Sequence, residues 1–212
     1  MVNRLKKWLF QNIANAITVL GLILSVWLLV VGITFPENLW LITLLALLIG
    51  LTDFFDGKVA RYFNINSFLG SCLDRLRDKI FICPALIILL WYHRAETFKS
   101  LFAVTFTAAL VILIVFLECL LLFTWLFAII KKLDIASNRY GRIKMFLQFI
   151  VIMVWLISLT VGKYAEFPVI KFSIYFINVL LVVTVYFAVK SLDGYYQRYK
   201  PNSNQKLDKK SR

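Results

Sequence analysis

The chain has 212 residues, 61% of them hydrophobic, and a mean hydropathy of +0.82; this excludes a soluble domain, which must present a polar surface. A net charge of +13 suggests nucleic acid at first, but all except four of the 24 Lys and Arg residues fall at the N-terminus, in the 57–79 region, in the 131–144 loop or in the tail. With Arg94, Lys99, Lys163 and Lys171 as the exceptions, the division follows the positive-inside rule for six membrane crossings, puts both termini in the cytoplasm and leaves no role for nucleic acid.

The predicted fold is all-α, an integral membrane bundle of six transmembrane helices preceded by a short amphipathic helix on the interface. Residues 1–12, with Arg4, Lys6 and Lys7 beside Trp8, Leu9 and Phe10, form that interfacial helix. The membrane domain covers 13–190 and a basic cytoplasmic tail covers 191–212. The first span runs from about Ile13 to Ile33; it is too long for a signal peptide and lacks a small-residue cleavage site. Pro36, Glu37 and Asn38 make an outer turn, and the second span starts at Leu39 and runs into Asp53.

The stretch from Asp53 to Asp78 reads DFFDGKVARYFNINSFLGSCLDRLRD and is predicted as two helices joined by a polar turn at 64–67. Asp53, Asp56, Gly57, Ala60 and Arg61 share one helical face, and Gly70, Asp74 and Asp78 share another. Two such faces, opposed across small residues, gather four carboxylates that need cations between them. All-oxygen ligation favours Mg²⁺ or Mn²⁺ over Zn²⁺. The third span continues to about Tyr92, with its apolar run starting at Ile80, so the acidic cluster sits at the cytoplasmic surface. His93 is expected in the far-side loop and receives no function.

The fourth span, about Phe98 to Ile130, contains Glu118 inside an apolar run, where an acid needs a partner; a hydrogen bond to a neighbouring helix is the preferred reading over a substrate role. The loop that follows brings Arg139, Arg142 and Lys144 to the start of the fifth helix, where a helix N-terminus adds donors for an anion. The fifth span ends near Val161, and the sixth runs from about Ile170 to Ala188. Cys72, Cys83 and Cys119 are odd in number and suggest no disulfide framework.

The pattern D-x2-D-G-x2-A-R-x8-G-x3-D-x3-D is matched at every fixed position by Asp53, Asp56, Gly57, Ala60, Arg61, Gly70, Asp74 and Asp78, and on it the chain resembles the CDP-alcohol phosphatidyltransferases. Asn15 and Thr18 resemble a signature near the start of the first helix in bacterial members. Gly141, Arg142, Lys144 and Gln148 resemble a signature of the phosphatidylglycerophosphate synthase branch, although Gly21 and Leu117 stand where that branch often carries arginine.

The resemblance implies transfer of a phosphatidyl group from CDP-diacylglycerol to an alcohol, with release of CMP, at a bacterial inner membrane and from its cytoplasmic face. It further implies two ions, Mg²⁺ or Mn²⁺, held by Asp53, Asp56, Asp74 and Asp78, with Asp78 as candidate general base. CDP-diacylglycerol would contact Asn15, Thr18, Gly57, Ala60, Arg61, Ser67 and Gly70. The expected acceptor is sn-glycerol 3-phosphate, with its phosphate on Arg139, Arg142 and Lys144; cardiolipin synthesis and inositol-phosphate or serine acceptors stay open. Membrane lipids are the other expected partners, Arg75 and Arg77 are expected to face lipid headgroups, and a homodimer stays open. The rival of another class is a cation transporter with buried carboxylates.

Overall fold

The computed structural model describes residues 2–62, 68–92, 101–131, 138–165 and 169–199, and every element among them is an α-helix. They are α1 (Val2–Thr34), α2 (Leu39–Tyr62), α3 (Phe68–Tyr92), α4 (Leu101–Ile130), α5 (Arg139–Ala165) and α6 (Val169–Tyr199). Helix is the outcome that apolar runs of this length dictate, because in lipid every backbone N–H and C=O must find its partner within the protein.

Two boundaries differ from those expected. The amphipathic N-terminal stretch is not a separate element but the first turns of α1, which is unbroken from Val2; no Gly or Pro lies between Lys7 and Asn15 to interrupt it. Likewise α6 passes Lys190 and continues to Tyr199, two residues short of Pro201, and the later tail residues lie outside the described ones.

Among the described residues, four helices contain stretches long and apolar enough to cross a membrane, namely Asn15–Thr34, Phe102–Ile130, Arg139–Lys163 and Ser173–Gln197, and α2 has a shorter apolar stretch, Leu39–Phe55. In α3 five charged residues, Asp74, Arg75, Arg77, Asp78 and Lys79, follow the first six, which leaves the run from Ile80 as its long apolar stretch. Both α2 and α3 therefore trade hydrophobic length for the acidic residues at their adjoining ends.

The helices form an integral membrane bundle. Helix α1 packs on α2 and α3, α6 packs on α4 and α5, and the two groups meet where α5 touches α2 and α3 and where α3 touches α4. The interior holds Leu45, Leu86, Ile114, Ile152, Trp155 and Leu181, while Trp27, Trp40, Phe116, Phe123 and Tyr175 face outward. Large exposed apolar side chains of this kind suit a lipid surround, which solvates them as well as a protein core does.

Hydroxyls inside the bundle are satisfied locally: Ser25, Thr160 and Thr184 each donate to the carbonyl four residues earlier. Others join helices. Thr107 donates to Asn178 Oδ1 at 2.7 Å, linking α4 to α6, and Thr43 and Thr160 meet at 3.2 Å between α2 and α5. At Gly50 the ring of Phe149 lies where a Cβ would stand, so the glycine allows α2 and α5 to approach.

Candidate active site

Helix α2 delivers Asp53 and α3 delivers Asp74 and Asp78, and one ligand oxygen from each lies within 4.8 Å of the others. The α3 pair meets Asp53 because residues four apart stack on one face. Asp53 and Asp74 are open to solvent, with 59% and 47% of their side chains exposed, whereas Asp78 lies deeper at 20%. Three carboxylates this close form an all-oxygen donor set that fits a hard divalent ion. Asp56, Ala60 and Arg61 ride on the last turns of α2, but their side chains, like the whole of Ser67 and His93, lie outside the described ones.

The expectation for Arg77 is corrected: its side chain is 1% exposed and faces the acids, not lipid headgroups. Its Nη2 pairs with Oδ1 of Asp53, lies 2.5 Å from Oδ1 of Asp74 and stands 3.6 Å from Oδ1 of Asp78. Position 77 follows Asp74 by three residues, so helical geometry puts it on the acidic face. Room for it comes from α1, where a Cβ on Gly21 would stand 2.9 Å from both Arg77 Cδ and Thr52 Oγ1. Arg75 also lies away from a simple headgroup position, with its guanidinium 5.4 Å from the ring centroid of Trp125 on α4.

Beside the acids is a cavity of about 800 Å³. Its far wall comes from the first turns of α5 (Gly141, Arg142, Lys144) and from Ser191 and Tyr195 of α6, with Trp125 of α4 between. Trp125 is 7% exposed and its Nε1 has no hydrogen-bond partner among the described residues. The wall is fixed by Asn138. Its Oδ1 accepts the Gly141 N–H at 2.6 Å, the geometry of a helix N-cap, and the Ser191 hydroxyl at 3.1 Å, while its Nδ2 donates to the Ser191 carbonyl at 2.7 Å.

Glu118 has the partners its depth demands. Gln148 Nε2 donates to it at 2.7 Å, Lys144 Nζ lies at 2.5 Å, and Lys79 closes a second ion pair from α3. Position 117 being Leu, the basic partners of the acid come from α3 and α5. One carboxylate faces two basic side chains, and both Lys79 and Lys144 line the cavity. Lys144 thus lines the cavity while holding Glu118, and Arg142 lines it while exposed; Arg139, also exposed, is not among the lining residues. Asn15, Thr18, Gly57 and Gly70 likewise fall outside the described lining, with Thr18 buried in α1. Sequence reasoning missed Lys79, whose only signal was its place one residue after Asp78.

The arrangement offers a carboxylate trio and several basic side chains lining one cavity, with space for a small anionic molecule. Three bacterial proteins named CDP-diacylglycerol--glycerol-3-phosphate 3-phosphatidyltransferase are similar to this chain. That of Cereibacter sphaeroides is 36% identical over 83 residues, 38% of this chain and 38% of the relative. That of Rickettsia bellii is 35% identical over 81 residues, 38% of this chain and 45% of the relative, and that of Rickettsia felis 30% over 105 residues, 50% and 52%. The chain thus spans about half the length, or less, of the relatives it matches. Residues 11–195, nearly the whole helical bundle, match the family described as CDP-alcohol phosphatidyltransferase, and with the acidic faces of α2 and α3 meeting as that motif requires, the chain belongs to the CDP-alcohol phosphatidyltransferase family.

Proposed function

We propose that the protein transfers the phosphatidyl group of CDP-diacylglycerol to sn-glycerol 3-phosphate, forming phosphatidylglycerophosphate and releasing CMP. The observation that carries this reading is that one cavity is lined both by the Asp53, Asp74 and Asp78 trio and by Arg142 and Lys144. The acceptor hydroxyl attacks the phosphorus that bears the diacylglycerol, the bond from that phosphorus to the bridging oxygen breaks, and CMP leaves with that oxygen.

Asp53, Asp56, Asp74 and Asp78 would hold two ions, Mg²⁺ or Mn²⁺, which when bound neutralise the diphosphate and the oxygen leaving with CMP. Asp78, the deepest of the described trio, takes the proton of the acceptor hydroxyl. Because a carboxylate is a weak base, orientation of the hydroxyl supplies much of the effect. Arg142 and Lys144 bind the acceptor phosphate by charge-assisted hydrogen bonds, and the unpartnered Trp125 N–H offers one more donor. Gly57 and Gly70 let the nucleotide approach the helix backbones, and Arg61 and Ser67 contact its phosphates. The 800 Å³ cavity accommodates an acceptor of glycerol phosphate size beside a nucleotide. The charge division along the chain supports a site facing the cytoplasm, and the bacterial relatives support an inner membrane.

The test is CMP release by purified protein with CDP-diacylglycerol and a panel of acceptors. Release with sn-glycerol 3-phosphate above that with inositol phosphate, serine or phosphatidylglycerol is expected. Release with one of the others alone would redirect the acceptor assignment, and release with none would end the transferase reading.

A further inference from the structure

We infer that Arg77 is a resident counter-cation that holds down the divalent-ion affinity of the nucleotide-free acidic site, so that firm metal loading waits for the nucleotide diphosphate. The inference rests on the divalent-metal reading above and adds to it a positioning residue that the acidic motif does not contain.

Three observations carry it. The guanidinium nitrogen Nη2 addresses one oxygen, Oδ1, of each of Asp53, Asp74 and Asp78, and these belong to the groups close enough to share an ion. A metal and the guanidinium therefore compete for the same carboxylates. The arginine is also built in: its side chain is 1% exposed, lodged against the space that Gly21 leaves on α1 and beside Thr52 of α2. Finally, the approach is one-sided. Arg77 reaches the acids from the protein interior, while Asp53 and Asp74 stay half open on the other side, where an ion and a diphosphate would arrive together.

The physical consequence follows from charge. A fixed positive group a few ångströms from a cation site repels the incoming ion and already satisfies part of the carboxylates' demand for counter-charge. A diphosphate adds negative charge and oxygen ligands on the open side, offsetting Arg77 and giving the guanidinium a second anionic partner. Metal and nucleotide should then raise each other's affinity by the same factor, as linkage requires.

The experiment uses the full chain in detergent, with Mn²⁺ titrated in the presence and absence of CDP and free Mn²⁺ read by its electron paramagnetic resonance signal. Arg77→Gln should bind Mn²⁺ at least about tenfold more tightly than wild type without CDP. Arg77→Lys, which keeps the charge, should stay close to wild type. CDP should tighten Mn²⁺ binding much more in wild type than in Arg77→Gln. If Arg77→Gln does not fold, Gly21→Ala decides, because its methyl would stand 2.9 Å from Arg77 Cδ and 3.3 Å from Nη1 and so displaces the guanidinium from the carboxylate oxygens; with that counter-charge moved off, it too should bind Mn²⁺ more tightly. Unchanged or weaker Mn²⁺ binding in the deciding variant overturns the inference and leaves the metal reading standing. Failure of wild type to bind Mn²⁺ with or without CDP overturns both.

Discussion

Replacing Glu118 with Gln keeps the size of the side chain and its hydrogen bond to Gln148 but removes the negative charge shared by Lys79 and Lys144. The acid and Lys144 are almost fully enclosed, with 2% and 4% of their side chains exposed, whereas Lys79 retains 21%. Taking away one partner of a buried pair leaves an uncompensated charge and costs about 3 to 5 kcal/mol. For a chain of this length each kcal/mol lowers Tm by roughly 2 to 4 °C, so Glu118→Gln should unfold about 6 to 20 °C below wild type in detergent. Lys144→Met alone should cost less, since Glu118 keeps Lys79 and Gln148. The double variant should recover part of the Glu118→Gln loss, because Lys79 can reach solvent; a coupling of about 1 kcal/mol or more is expected from the cycle. Calorimetric or fluorescence unfolding of the four proteins measures it. A Glu118→Gln protein that melts within a degree or two of wild type, or losses that simply add, would refute the claim that this acid anchors the two lysines.

Asp53→Asn, Asp56→Asn, Asp74→Asn and Asp78→Asn should each abolish nearly all CMP release while the protein stays folded, since groups that act as one unit fail together; two variants with near-normal turnover would dismiss the two-ion site. Arg142→Ala should raise the acceptor KM about tenfold or more and change the CDP-diacylglycerol KM little, the loss expected for one charge-assisted contact to a phosphate; equal changes in both would remove Arg142 from the acceptor side. Gly50→Ala should destabilise by about 1 to 3 kcal/mol, because its methyl meets the Phe149 ring, and Phe149→Leu should restore much of the loss; a neutral Gly50→Ala would mean that α2 and α5 can separate without penalty.

The bundle, its six described helices and the meeting of Asp53 with Asp74 and Asp78 were legible because hydropathy marks each apolar run and helical periodicity marks each face. Ends were less so: α6 runs on through Lys190 to Tyr199, because a change to polar residues does not by itself stop a helix. The basic residues divided. Arg142 and Lys144 reach the cavity as their position at the start of α5 suggests, but Arg139, three residues earlier, stays outside its lining. Arg77 and Lys79 look in sequence like two more positive-inside charges. For Arg77 the three-residue spacing from Asp74 is a local hint, but its burial against Gly21 on α1 and the pairing of Lys79 with Glu118 on α4 span more than thirty residues and leave no local periodicity. Glu118 shows the converse, since its depth alone announces a partner without saying which helix supplies it.

Asn138 has a mechanical consequence. By binding Gly141 at the start of α5 and both the carbonyl and the hydroxyl of Ser191 on α6, one amide makes the cavity's far wall a single stiff body. Across the seam between that body and the α2–α3 pair, the Phe149 ring presses on Gly50 and lies 6.3 Å from that of Phe81. Aromatic rings can slide there, whereas the Thr43–Thr160 hydrogen bond pins the same two helices at another level, so movement along the seam would be a pivot about that pair and not a parting of α2 from α5.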